Sequence, residues 1–169
     1  FESQNLNDLF YLGHLKAYHD LSEGSNLEVG TSFARGTADT GDSSEFGGLD
    51  LTYRYKPLQR GLYRSFISRT ELIANRRAGS DDHAFGFYTA ADYQFAQRWF
   101  AGIRLDRADH IDDPALTDRG ASLTLTFWPS EFSQLRAQGR RIPYGNGPTV
   151  NELLMQVQFS IGAHGAHSF

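Results

Sequence analysis

Cysteine is absent from this chain of 169 residues, which excludes disulfides, thiolate metal sites and a cysteine nucleophile. Long apolar runs are missing too. The longest are a few residues, far below the roughly 18 to 20 that a membrane-spanning helix needs, so helical spans are excluded. Basic residues are in deficit, 16 Lys and Arg against 20 Asp and Glu. The resulting net charge of −4 argues against a nucleic-acid partner, since phosphate binding needs a basic excess. No apolar stripe at helical spacing is sustained anywhere. What the chain does have is 40% apolar and 14% aromatic residues, too much ring and aliphatic surface for a disordered polymer. Its length suits one domain over residues 1–169, with no linker composition inside.

Period-two alternation recurs almost throughout and makes the chain all-β. Strands are expected at Asp8–Leu21, Asn26–Arg35, Phe46–Lys56, Arg64–Asn75, Ala84–Ala96, Trp99–Arg107, Gly120–Trp128, Ser133–Arg141 and Glu152–Ala163. Most are about 9 to 12 residues long, near the length of a tilted membrane-crossing strand. Short connections (SEGSN, KPLQRGLY, AQR, PSEF) alternate with long polar ones (GTADTGDSSE, RRAGSDD, ADHIDDPALTDR, IPYGNGPTVN). Rings flank the short connections: Tyr53, Tyr55, Tyr63 and Phe66; Tyr93, Phe95, Trp99 and Phe100; Phe127, Trp128 and Phe132. An aromatic ring gains by sitting at headgroup level, with its apolar body toward acyl chains and its edge toward water.

Alternation also separates two faces. Leu49, Leu51 and Tyr53; Ala101, Ile103 and Leu105; Ala121, Leu123, Leu125 and Phe127; and Leu153, Met155, Val157, Phe159 and Ile161 form an apolar face expected to meet lipid. The other face is expected to line a pore. It carries Lys16, Arg54, Lys56, Arg69, Arg104, Arg136 and Arg140 beside Glu28, Asp50, Glu71, Asp92 and Asp106, seven bases against five acids. A lumen so lined implies a weak preference for anions. In a soluble barrel binding an apolar ligand the two faces would be reversed.

The end of the chain, FSIGAHGAHSF, places Phe169 last, with Ala163, Ile161, Phe159, Val157, Met155 and Leu153 at every second position before it. This resembles the C-terminal signature of bacterial outer-membrane β-barrel proteins, with His167 and Gly165 standing where the family usually has aromatic or aliphatic residues. The resemblance implies an antiparallel up-and-down transmembrane β-barrel in the bacterial outer membrane. It implies porin-like passive passage of small polar solutes, with outer-membrane lipid and, through Phe169, the assembly machinery as partners. A homo-oligomer or a larger membrane complex fits the same resemblance, as does a non-conducting barrel with a structural, adhesive or docking role. About nine strands are visible, whereas such barrels close with an even number. The polar lead-in FESQNLN reads as the remnant of a loop, so the chain is expected to be the C-terminal part of a larger barrel.

Metal and catalytic chemistry have weak candidates. His164 and His167, His110 among Asp109, Asp112 and Asp113, and His83 after Asp81 and Asp82 lack a closed ligand set, and no metal or cofactor is expected. His110 with Ser80 or Ser43 has no motif around it, and Asp112 with Asp113 reads as a solvated loop, so no enzyme is expected.

Overall fold

A computed structural model of the protein describes residues 9–37, 43–76 and 83–161. They form β1 (Tyr11–Ser22), β2 (Ser25–Thr37), β3 (Ser43–Tyr55), β4 (Ser65–Arg76), β5 (His83–Ala96), β6 (Trp99–Asp109), β7 (Thr117–Ser130), β8 (Ser133–Pro143) and β9 (Thr149–Phe159). The strands lie side by side in chain order, each neighbouring pair antiparallel, as one up-and-down sheet.

The expected all-β, antiparallel up-and-down sheet is present, and its nine described strands do not close into a barrel. Among the described residues no ladder joins β1 to β9, and both edges are open. The reason is parity: nine strands leave β1 and β9 running in the same direction, so the antiparallel seam that closes such a barrel cannot form between them. The sheet is nonetheless curled. A cavity of about 1170 Å³ is lined by side chains from Leu12 and Lys16 on β1 to Arg140 on β8 and Gln156 on β9.

Three hairpins turn within two residues, at Glu23–Gly24, Gln97–Arg98 and Glu131–Phe132, each after a register shift. Two of them close on a serine pair, Ser22 to Ser25 at 2.7 Å and Ser130 to Ser133 at 2.8 Å between hydroxyls. Gly24 is required where it stands. Its carbonyl accepts the Lys56 N–H at 2.7 Å, and a Cβ there would come within 2.8 Å of the Lys56 carbonyl oxygen.

Several ends differ from expectation because pairing outlasts the apolar pattern. β3 begins at Ser43 rather than Phe46, since its ladder with β2 continues to Thr37. β7 begins at Thr117 rather than Gly120, held by the Thr117 hydroxyl donating to Asp109 at 2.7 Å. β9 starts earlier than Glu152, at Thr149 opposite Pro143, and ends at Phe159; Ala163 lies outside the described residues, as does Asp8 at the expected start of the first strand.

Among the described residues no hydrophobic side chain is buried. The least exposed are polar: Ser25, Thr52, Gln94, Ser122 and Thr126. A single curled sheet has no second layer to cover its apolar face.

Candidate functional site: the charged concave face

Residues directly opposite in a ladder point to the same side of the sheet. Lys16 lies opposite Gly30 and Gly30 opposite Asp50, which faces Glu71, then Tyr88, then Asp106. Arg54, Arg69, Asp92, Arg104, Arg136 and Arg140 join the same side through Ile67, Thr52, Gly102, Ala90, Thr126 and Ser122. Glu28 joins them opposite Thr52, so of the twelve expected lining residues all but Lys56 share one face. It is the concave one, because Lys16, Asp50, Glu71, Arg104, Asp106, Arg136 and Arg140 line the large cavity.

The expected basic excess is corrected by the register. Lys56 lies beyond the end of β3, and Asp20, Asp118 and Glu152 fall on the charged face opposite Asn26, Ala108 and Arg140. Six bases (Lys16, Arg54, Arg69, Arg104, Arg136, Arg140) thus stand against eight acids (Asp20, Glu28, Asp50, Glu71, Asp92, Asp106, Asp118, Glu152) in the described strands.

Most of these charges are paired. Lys16 Nζ reaches Glu28 at 2.8 Å and Asp50 at 3.8 Å, and Arg54 takes the second Glu28 oxygen at 3.3 Å. Across β4 to β6, Arg69 meets Asp92 at 3.6 Å, the Tyr88 hydroxyl donates to Glu71 at 2.6 Å, and Arg104 donates to Asp106 at 2.7 Å. The Arg104 guanidinium also stacks 3.9 Å above the Tyr88 ring, a favourable placement over the negative face of the π-system. Arg140 donates to Glu152 at 2.7 Å. Arg136 differs. It makes no ion pair with a described residue, and its Nε is buried without a partner. It shares with Arg69 and Arg104 a smaller hollow of about 350 Å³, where Asp92 is the one carboxylate in the lining.

Two glycines make room for carboxylates. A Cβ on Gly30 would overlap Asp50, and one on Gly102 would overlap Asp92, so each acid lies flat over its cross-strand glycine. Tyr88, Glu152 and these glycines were missed by sequence reasoning, although Tyr88 stands two positions from Ala90 and four from Asp92 on one alternating face.

The convex face is apolar between two different rims. At the short-turn end lie Tyr53 and Phe66, with ring centroids 6.2 Å apart, then Tyr93, and Trp99 stacked on Phe127 at 4.5 Å. Phe100 is not part of this belt: it pairs with Gln94 and Thr126 and so sits on the polar face. At the long-connection end the same convex face becomes charged, with Arg35, Glu45, Arg76 and His83 in one registered row, then Arg107 opposite Arg119, then Arg141. Between the rims each strand spans about eight to ten residues, as from Glu45 to Tyr53, His83 to Tyr93 and Arg119 to Phe127. That is roughly 26 to 33 Å of extended chain, or roughly 20 to 25 Å of height for strands tilted by about 40°. The charged rim is level in register from β2 to β5 and steps toward the short turns at β6 and β8, and the aromatic rim steps the same way at β4 and β6.

Beyond the band, on the loop side of Arg119, the long β6–β7 connection is clasped. His110 Nε2 lies 2.9 Å from Asp118 Oδ1, which also accepts the Gly145 N–H at 2.8 Å and so ties in the β8–β9 connection. The His110 contact, followed by the Gly145 N–H, holds the Asp118 carboxyl below its usual range. His110 is thus engaged by Asp118, while Ser43 accepts from Arg35 at 3.3 Å, so the two are in different contacts. Asp113 accepts the Ala115 N–H and shapes the loop. No group of three or more metal-ligating side chains occurs among the described residues. Phe169, His164, His167, Ser80, Asp81 and Asp82 lie outside the described residues.

No family model matches the chain, and no solved structure matches it. It is similar to an uncharacterized protein of Aquifex aeolicus (strain VF5), 27% identical over 193 residues, an alignment covering 94% of this chain and 40% of the relative. The chain therefore spans less than half the length of that relative.

Proposed function

We propose that the chain forms part of a bacterial outer-membrane β-barrel whose interior, lined by the charged concave face, gives small polar solutes passive passage. One observation carries this reading: the sheet is inverted relative to a water-soluble fold. Leu123, Leu153 and Met155 are 67%, 77% and 82% exposed on the convex side, while the buried side chains are polar. A continuous apolar surface of this kind is costly in water, at about 25 cal/mol per Å², and at home against acyl chains. The height and aromatic rim of the band support the same placement. A soluble barrel for an apolar ligand would need its apolar face on the concave side. Further strands, from the remainder of a longer chain, would pair with the open edges of β1 and β9 and make the number even. Phe169 is the proposed contact with the assembly machinery, and a homo-oligomer or larger membrane complex is compatible with the reading.

With six bases against eight acids on the concave face, the anion preference is proposed only locally, at Arg136 and its hollow. No step of catalysis and no cofactor is proposed. A second reading is favoured by the pairing itself: ion pairs spread over β1–β3, β4–β6 and β8–β9 could hold a filled, non-conducting interior with a structural or docking role. Single-channel recording of the complete protein in a planar bilayer separates them. Stepwise ohmic current supports the pore, and silence from inserted protein moves the reading to the filled barrel.

A further inference from the structure

The two rims of the convex face are chemically unlike, and the long-connection rim is basic. Its guanidiniums are those of Arg35, Arg76, Arg107, Arg119 and Arg141, against the carboxylates of Glu45 and Asp109. Glu45 is shared between Arg35 at 3.4 Å and Arg76 at 3.1 Å, which leaves that group with one surplus charge. Arg107 takes Asp109 at 3.1 Å, yet its Nε is buried without a partner. Arg119 stands directly opposite Arg107, a like-charged cross-strand pair that is unfavourable by itself. Arg119 and Arg141 are exposed and make no hydrogen bond or ion pair with any described residue. Asp109 cannot answer for them, because it already accepts from Thr117 at 2.7 Å and from the Phe85 N–H at 3.2 Å. By ladder parity these donors lie on the same side as the apolar band and at its edge, with Arg107 and Arg119 also bordering the mouth of the large cavity.

We infer that the Arg107, Arg119 and Arg141 guanidiniums form a docking surface for the phosphate of an anionic lipid headgroup, in the leaflet that faces the long connections. A phosphate has the oxygens to accept from two forked guanidiniums at once, and the adjoining apolar band receives its acyl chains. Such a ligand turns the Arg107–Arg119 opposition from a repulsion into a shared site. At the aromatic end the guanidiniums are engaged, Arg64 donating to the Tyr93 hydroxyl at 3.0 Å and Arg98 to the Pro129 carbonyl at 2.6 Å, so the docking is assigned to the long-connection rim. This inference rests on the bilayer reading above.

The test uses the full chain reconstituted into phosphatidylcholine vesicles with and without phosphatidic acid. Protection of the strands from protease in pure phosphatidylcholine reports the bilayer reading independently of the docking. Phosphatidic acid should then raise the unfolding temperature by a few degrees, and Arg119→Gln with Arg141→Gln should lose most of that rise. Arg60→Gln, in the 56–64 connection at the opposite end, should keep it. The inference is overturned if the double variant responds like the parent, or if phosphatidic acid gives no rise in protected protein. It is also overturned if inorganic phosphate added to phosphatidylcholine vesicles reproduces the rise, which would make the site one for soluble anions. A chain cut throughout its strands in phosphatidylcholine would remove the bilayer reading and this inference with it.

Discussion

Leu153 and Leu154 are neighbours of the same type on opposite faces, since Leu153 pairs with Gly139 and Leu154 with Gln138. In membrane-embedded protein, Leu153→Arg should cost roughly 2 to 4 kcal/mol, as charge on a lipid face does, while Leu154→Arg should cost below about 1 kcal/mol. Chemical denaturation in vesicles reads both, and equal losses would remove the assignment of faces. Arg136 has a different consequence. As the unpartnered base of the hollow it shares with Arg69 and Arg104, its change to Gln should shift the reversal potential toward cations at low salt, whereas Arg54→Gln, which opens an already shared Glu28 network, should shift it less. At this scale the sequence was legible wherever alternation ran unbroken: eleven of the twelve expected lining residues fall on one face because each strand keeps its period. It was not legible which charges cancel. Pairing depends on register across neighbouring strands, which is what sets Glu152 opposite Arg140.

Among the elements, the β6–β7 connection is fastened by side chains, Asp113 accepting the Ala115 N–H and Asp118 meeting His110. Asp118 has a carboxyl held below its usual range, so its contribution to the clasp is fully present above the unfolded value of about 3.9 and is lost only as pH falls through the lower folded value. Limited proteolysis across residues 110–116 should therefore stay slow through mildly acidic pH and accelerate only in strong acid, and Asp118→Asn should make cutting fast at neutral pH. Slow cutting of the variant would mean that the clasp does not order the loop. Strand existence was readable for all nine elements, and strand ends were not, because polar ladder residues such as Ser43, Thr117 and Thr149 carry no apolar period yet still pair. The clasp itself had no sequence signal: His110 and Asp118 are eight positions apart, and Gly145 joins them from another connection.

For the whole molecule the sequence carried the sheet but not its closure, since nine strands in chain order leave β1 and β9 parallel and unpaired. The convex band runs across the sheet and its two rims differ, which would give the proposed barrel a defined up and down in a bilayer. In the proposed barrel the convex face meets lipid and the concave face meets water. The chain contains no cysteine, so single substitutions along β7 can be spin-labelled without removing anything first. The direct test is a nitroxide scan from Ala121→Cys to Phe127→Cys in vesicle-inserted protein, with oxygen reporting contact with lipid and a water-soluble nickel complex reporting contact with solvent. Strict alternation is expected, with Ala121, Leu123, Leu125 and Phe127 relaxed by oxygen and Ser122, Thr124 and Thr126 by nickel. Reversed alternation, or uniform exposure to nickel along the strand, would contradict it.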